Sequence, residues 1–410
     1  MGPLPLGHLS SGRPEVAVMD IRAILLIGGI GAGEQTRPES FGAVPLACLD
    51  VLGMSPEERV ISRLRHFGVS VCSVICDAPA TAEPFLKCAA LDSGDQHLHV
   101  DGEQFWRSAE ETFHQCAEDG AEIVIVIRMG PYVEADYEEI IQHHFDRRNS
   151  VTQAVDADGA SLDLFVLSTS ARSDAAELFQ SRLQHMRHES EAFPVSGYVN
   201  RLQKAADLRR LATDGLLGRN EVKPQGKEVK PGIWLGPAAR VHRKARVVAP
   251  AYIGPHAHVR ASALITRGTV IEHHAEVDCG TVVENTTLLP FSCLGAGLDA
   301  MHCVVGFRRL AHLVRDVEVE IHDGKLVGMV PLSPVSRLAG STAALFAFLP
   351  RELYRGVRAS FGRKARKRTA EPSEEAKTSP EAPVLEEPLS NSGPSEFPPN
   401  LAVMRRYGDH

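Results

Sequence analysis

LGPAAR-VHRKAR-VVAPAY-IGPHAH-VRASAL-ITRGTV-IEHHAE-VDCGTV-VENTTL-L, residues 235–289, places an aliphatic side chain at every sixth position: Leu235, Val241, Val247, Ile253, Val259, Ile265, Ile271, Val277, Val283 and Leu289. A second column, four residues further on, is small throughout: Ala239, Ala245, Ala251, Ala257, Ala263, Thr269, Ala275, Thr281 and Thr287. An amphipathic helix repeats near 3.6 residues and cannot keep such a phase. A period of six with fixed aliphatic and small positions is the mark of a hexapeptide β-helix. Three hexapeptides make one triangular coil, with aliphatic residues along the axis and small residues where the chain turns. The spacing predicts a left-handed parallel β-helix from about Leu235 to Leu289, with residues 18 apart stacked roughly 4.8 Å from one another. That stacking sets Arg260 on Asp278, His258 on Glu276 and His256 on His274, the first two pairs favourable across strands.

Upstream the pattern changes. Ile21–Ile27 (IRAILLI) is a buried parallel strand running into Gly28, Gly29, Gly31 and Gly33. Val69–Cys76 and Glu122–Ile127 are further strand candidates, while residues 56–67, 105–118, 137–145 and 207–217 carry helical spacing. Strands alternating with helices predict an α/β layered domain with Rossmann-like character. The expected division is 1–19 disordered, 20–218 α/β domain, 219–232 linker and 233–330 β-helix with cap, then 331–369 basic segment and 370–410 disordered tail. Beyond Gly295 the period is expected to fail. Val317, Val319 and Ile321 alternate up to Asp323-Gly324, which reads as the turn of a capping hairpin.

The chain has 410 residues, 43% apolar and 23% charged, the composition of a soluble globular protein. A net charge of -8 argues against general nucleic-acid binding. Eight cysteines without a CxxC pair suit a reducing compartment. With no apolar run long enough to span a bilayer and no signal-peptide pattern, a cytoplasmic location is the expectation. The basic run Arg351–Arg368 is a candidate contact for anionic lipid, with a solvated linker the preferred reading.

The glycine stretch fits neither common phosphate loop. Glu34 stands where GxGxxG needs its third glycine, and no GK[ST] follows. Glycines after a buried strand still let backbone N–H groups approach a phosphate. Gly28-Gly29-Ile30-Gly31, Arg37, Pro45-Leu46 and the helical Val60–Gly68 together resemble the sugar-1-phosphate nucleotidyltransferases, the mannose-1-phosphate guanylyltransferase or NDP-sugar pyrophosphorylase type. Ile123–Thr152, with Gly130, Asp136, His144 and Thr152, shares that outline, and many members append a hexapeptide β-helix. The resemblance implies transfer from a nucleoside triphosphate to a sugar-1-phosphate with Mg2+, for polysaccharide synthesis. Gly28, Gly29, Gly31 and Gly33 would hold the phosphates, and Arg37 would offset their charge. Two departures stand out. The family's Pro-Lys is Pro45-Leu46 here, and its metal-binding Gly-Asp is Gly130-Pro131. Asp77 and Asp136 are the carboxylates left as substitutes.

Three functions follow as expectations: a nucleotidyltransferase; a non-catalytic relative that senses or scaffolds around a nucleotide or sugar phosphate; and an acyltransferase using a β-helix histidine as base. His256, His258, His273, His274 and His302 fall on the outer surface or corners, so solvated histidines are preferred over a His256/His274 metal site. Homo-oligomers through the flat β-helix faces are expected.

Overall fold

The computed structural model describes residues 19–28, 40–77, 94–100, 102–169 and 191–330. The expectations for 1–18 and 331–410 lie outside the described residues.

Aliphatic runs too short for helices and flanked by glycine or polar residues become most strands of a seven-stranded mixed sheet. In chain order these are β1 (Ile21–Ile27), β2 (Val71–Cys76), β3 (Gln96–His99), β4 (Ile123–Arg128), β5 (Val151–Val155), β6 (Ser161–Ser168) and β7 (Glu191–Pro194). They lie side by side as β3-β2-β1-β4-β6-β5-β7. β1 to β4 are parallel to one another, and only β6 runs against the rest.

Helix α1 (Pro56–Phe67) starts on a capping box between Ser55 and Glu58, carries proline in its first turn, and stops at Gly68 with φ 114. α2 (Gly102–Glu118) packs Phe105, Ala109 and Phe113 against Ile24, Leu26 and Ile75 on one sheet face. The opposite face, with Leu25, Ile27 and Val74, joins one continuous core with α1, α3 (Tyr137–Asp146) and α4 (Ala205–Leu216).

The six-residue repeat folds into three sheets visited in rotation. Ile233–Leu235, Ala251–Ile253, Thr269–Ile271, Thr287–Leu288 and Cys303–Gly306 form the first. Arg240–Val241, His258–Val259, Glu276–Val277 and Ser292–Leu294 form the second. Arg246–Val247, Leu264–Thr266, Val282–Glu284 and Asp299–Met301 form the third. All these pairings are parallel, and Ile253, Val259, Ile265, Ile271, Val277 and Val283 are fully or almost fully buried along the axis. Most corners use a residue with positive φ, one column being Ala238, His256, His274 and Phe291.

The repeat runs further than its fixed phase suggests. Ile271 pairs with Leu288, not Leu289, so one residue is lost after Val283 and later partners are 17 apart. Leu294, Ala300 and Val305 then continue the axis, and Leu289 instead joins the core of the α/β part. The threonines follow the slip. Thr269, Thr281 and Thr286 each donate Oγ1–H to a carbonyl of the next coil, on Val283, Gly295 and Ala300. Thr286, rather than Thr287, therefore holds the small-residue position.

The cap differs from the expected hairpin. Val317–Glu320 pairs with Arg309–His312 ahead of it, while Val327–Met329 returns to Ser292–Leu294, so Asp323-Gly324 joins strands of different sheets. The stretch 219–232, expected as a linker, is tied down. Gln225 donates its N–H to the Leu52 carbonyl, and Lys227–Lys230 pairs antiparallel with Ile233–Leu235. One coil face is also occupied. Tyr252, Val270 and Val304 point outward from the first sheet into the α/β core, with Trp234 packed beside them. No described helix is long and apolar enough to cross a membrane.

Candidate functional site

From β1 the chain builds outward through β2 to β3, then returns to the other side of β1 as β4. Ligands of open α/β sheets bind outside the carboxyl ends of the strands at such a reversal. β1 ends at Ile27, and Gly28 follows with φ 91. A Cβ on Gly28 would lie 2.6 Å from the Asp77 carbonyl oxygen, so only glycine fits here. Asp77 directly follows β2 and donates its N–H to the Ile27 carbonyl at 2.8 Å. Its carboxylate lies beside Gly102, at the start of the 17-residue helix α2. Beyond β4 come Met129, whose N–H donates to Leu26, then Gly130 and Pro131. Gly29, Gly31, Gly33 and Arg37 lie outside the described residues, so of the expected phosphate-binding residues Gly28 is the one whose place can be stated.

Other residues of the outline have structural duties. Asp136 caps α3, its Oδ1 accepting from Glu138 and Glu139 N–H groups. The fully buried His144 shares hydrogen bonds with Thr152 Oγ1 at 2.9 Å and Ser168 Oγ at 2.8 Å, which fixes α3 on β5 and β6. Magnesium finds a poor fit among the described residues at this edge. Pro131 supplies no carboxylate, and Asp136 is engaged as a cap. Among the described residues no group of three or more His, Cys, Asp or Glu is arranged to hold a metal ion.

A second polar cluster, absent from the sequence reading, sits where the coil meets the α/β part. The fully buried Glu272 accepts the Leu52 N–H on Oε1 at 2.7 Å and the Gly53 N–H on Oε2 at 3.0 Å. Positive φ at both Leu52 and Gly53 turns these consecutive N–H groups toward one carboxylate. Arg59 donates to the Val51 and Lys223 carbonyls, and Asp50 lies 3.3 Å from His273 Nε2. The Tyr252 hydroxyl is buried without a hydrogen-bond partner among the described residues. Burial, with the Asp50 charge adding, pushes Glu272 up to about 8 against the pull of its two N–H donors. Burial pushes Asp50 up to about 7, with Glu58 adding and Arg59 opposing. Burial, then His274 and His256, pushes His273 down to about 4.

These shifts set a pH dependence. The folded chain keeps protons on Glu272 and Asp50 that the unfolded chain has released above about pH 4.5, so stability falls as pH rises toward 8. His273 and His97, both lowered to about 4, act oppositely, adding stability as pH rises to about 6.5. Urea unfolding across pH is expected to lose on the order of 2 kcal/mol between about pH 6.5 and 8.5. Glu272→Gln should flatten that limb. A level wild-type profile there would mean that neither acid keeps its proton on folding.

The stacked pairs expected along the coil are present. His258 lies 3.7 Å from Glu276, and Arg260 lies 3.3 Å from Glu276 and 3.7 Å from Asp278. The His256 and His274 rings stack at 4.8 Å, and Phe291 extends the stack at 4.9 Å. His273 Nδ1 and His274 Nδ1 share a hydrogen bond at 3.0 Å, so one of those two nitrogens lacks a proton. No protein-family model matches this chain, and no curated protein matches it.

Proposed function

We propose that this chain is a non-catalytic relative of the sugar-1-phosphate nucleotidyltransferases, binding a nucleotide or sugar phosphate at the carboxyl edge of β1, β2 and β4 without turning it over. The carrying observation is the pair of features at that edge. Gly28 and Asp77 approach so closely that a side chain at Gly28 is barred, and Gly130-Pro131 leaves no carboxylate where the resemblance puts a metal ligand. The parallel sheet and its reversal beside β1 support a ligand crevice there. In this reading the three-sheet coil is a left-handed β-helix that serves as a scaffold.

The experiment is thermal unfolding against nucleoside triphosphates, sugar phosphates and nucleotide sugars, with and without magnesium. Ligand at about 100 times its dissociation constant adds roughly 2.7 kcal/mol to the folded state. A midpoint rise that is the same without magnesium is expected, and Gly28→Ala should remove it. Formation of a nucleotide sugar and diphosphate would overturn the reading in favour of an active, magnesium-dependent transferase, for which Asp77 is the described carboxylate at the edge. The absence of any shift would remove the crevice as a binding site.

A further inference from the structure

The two ends of the coil are finished differently. At the start, Lys227–Lys230 covers only the sheet of Ile233–Leu235. Arg240–Val241 and Arg246–Val247 each have a strand neighbour on one side alone among the described residues. An edge strand carries unpaired N–H and C=O groups. The axial residues Leu235, Val241 and Val247 are only partly buried there. Lys227, Lys230, Arg240, Arg243, Lys244 and Arg246 surround this edge, all exposed, and none forms an ion pair with a described residue. The chain as a whole carries -8, so this rim runs against the general charge.

Deeper in the same sheet, the coil displays the partner that such a strand takes. His258-Val259-Arg260 lies along Glu276-Val277-Asp278, valine on valine, with the flanking charges 3.3 to 3.7 Å apart. Arg240-Val241-His242 repeats the basic–valine–basic order one coil earlier, and its outer side is open. The acidic counterpart stands at the far end of this chain. Val317–Glu320 reads Val-Glu-Val-Glu, is the last strand of its sheet, and leaves Val317 and Val319 each 49% exposed. Glu318 and Glu320 share a single arginine, Arg309, at 2.8 and 3.7 Å. Among the described residues the edge is free, and beside Arg309 only His322, 4.0 Å from Glu320, stands against these two acids, so both features are available to a partner.

We propose that copies of this chain associate head to tail, the Val317–Glu320 edge of one copy adding to the basic coil edge at Arg240–His242 of the next. Cations on a strand edge deter pairing with an identical edge, and the same cations favour an acidic one. The contact is therefore heterologous, joining two different surfaces, and it propagates into a ring or a filament. A polypeptide edge offers donors and acceptors in alternation to match the exposed backbone. A nucleic-acid backbone or an anionic membrane offers acceptors alone.

The test is sedimentation of the full-length chain over a concentration range, at low and high salt. Two double variants accompany it, Arg240→Glu with Arg243→Glu, and Val319→Lys with Glu320→Lys. All four positions are exposed, and unchanged circular dichroism and thermal midpoints verify that the variants fold. Wild type is expected to form species larger than a dimer that dissociate in high salt, and each variant alone to be monomeric. Mixed in equal amounts, the variants should associate again, because each brings one intact edge and the two reversed edges are themselves opposite in charge. A monomeric wild type, assembly untouched by either variant, or variants that fail to pair on mixing would each overturn the proposal. So would association that requires added nucleic acid or anionic vesicles.

Discussion

Glu272→Ala is expected to lower the free energy of unfolding near pH 6.5 by about 3 kcal/mol, since each buried N–H left without an acceptor costs about 1–3 kcal/mol. The carboxyl group is the acceptor for Leu52 and Gly53, in a loop whose positive φ at both residues aims the two donors at one point. Chemical unfolding measures the loss. Glu276→Ala, one coil strand further on and partly exposed, is the comparison, and its change should stay within about 0.5 kcal/mol. Equal losses at the two positions would mean that the Leu52–Gly53 clasp adds nothing beyond an ordinary surface contact.

Arg209→Ala should be costlier, about 3–5 kcal/mol, because it combines lost side-chain volume with several orphaned acceptors. Arg209 lies on α4, is 3% exposed, and reaches the coil corner. It donates to the Gly268 carbonyl, to Asn285 Oδ1 at 2.9 Å and to Thr287 Oγ1 at 3.3 Å. All three partners are neutral, and burial pulls its pKa down to about 10. A buried cation without a counter-charge is itself a burden on the fold. Arg209→Met, which keeps most of the bulk and sheds the charge, should therefore cost less than alanine, about 1–3 kcal/mol. The order of the two variants carries the argument. If methionine were as damaging as alanine, the arginine's hydrogen bonds, and not its volume, would hold α4 on the coil.

Legibility in the sequence followed the range of each signal. The coil was readable because one residue in six must be aliphatic whatever surrounds it, and β1, β2, β4 and the four described helices were readable from local periodicity. The single-residue slip was hidden by Leu289, an aliphatic residue in the expected phase that faces the α/β core instead of the axis. β3, with its two histidines and 4-residue length, has no apolar run to announce it, and neither does β7. Glu272 carries no signal of its own in the sequence, because its column begins with Gly236 and Gly254. At Gly254 the backbone around His273 leaves no room for a side chain, and only one coil later does the column reach the α/β part. A period-18 reading of Trp234, Tyr252 and Val270 would have marked that docked face, since three large apolar residues pointing away from the axis need a cover.

The shared core also dictates what happens while the chain is being made. The core that holds Leu25, Ile27 and Val74 also takes in Tyr252, Val270, Leu289 and Val304, which leave the ribosome long after α4. At roughly 5–20 residues per second, the nascent α/β part waits on the order of 5 to 20 seconds with that share of its core unfilled. Translation pauses placed within the coil would lengthen that wait, and a chaperone engaging the nascent chain would find its target there rather than in the repeats. Mutations that slow coil closure would then appear as aggregation of the amino-terminal half, although that half carries no change in sequence.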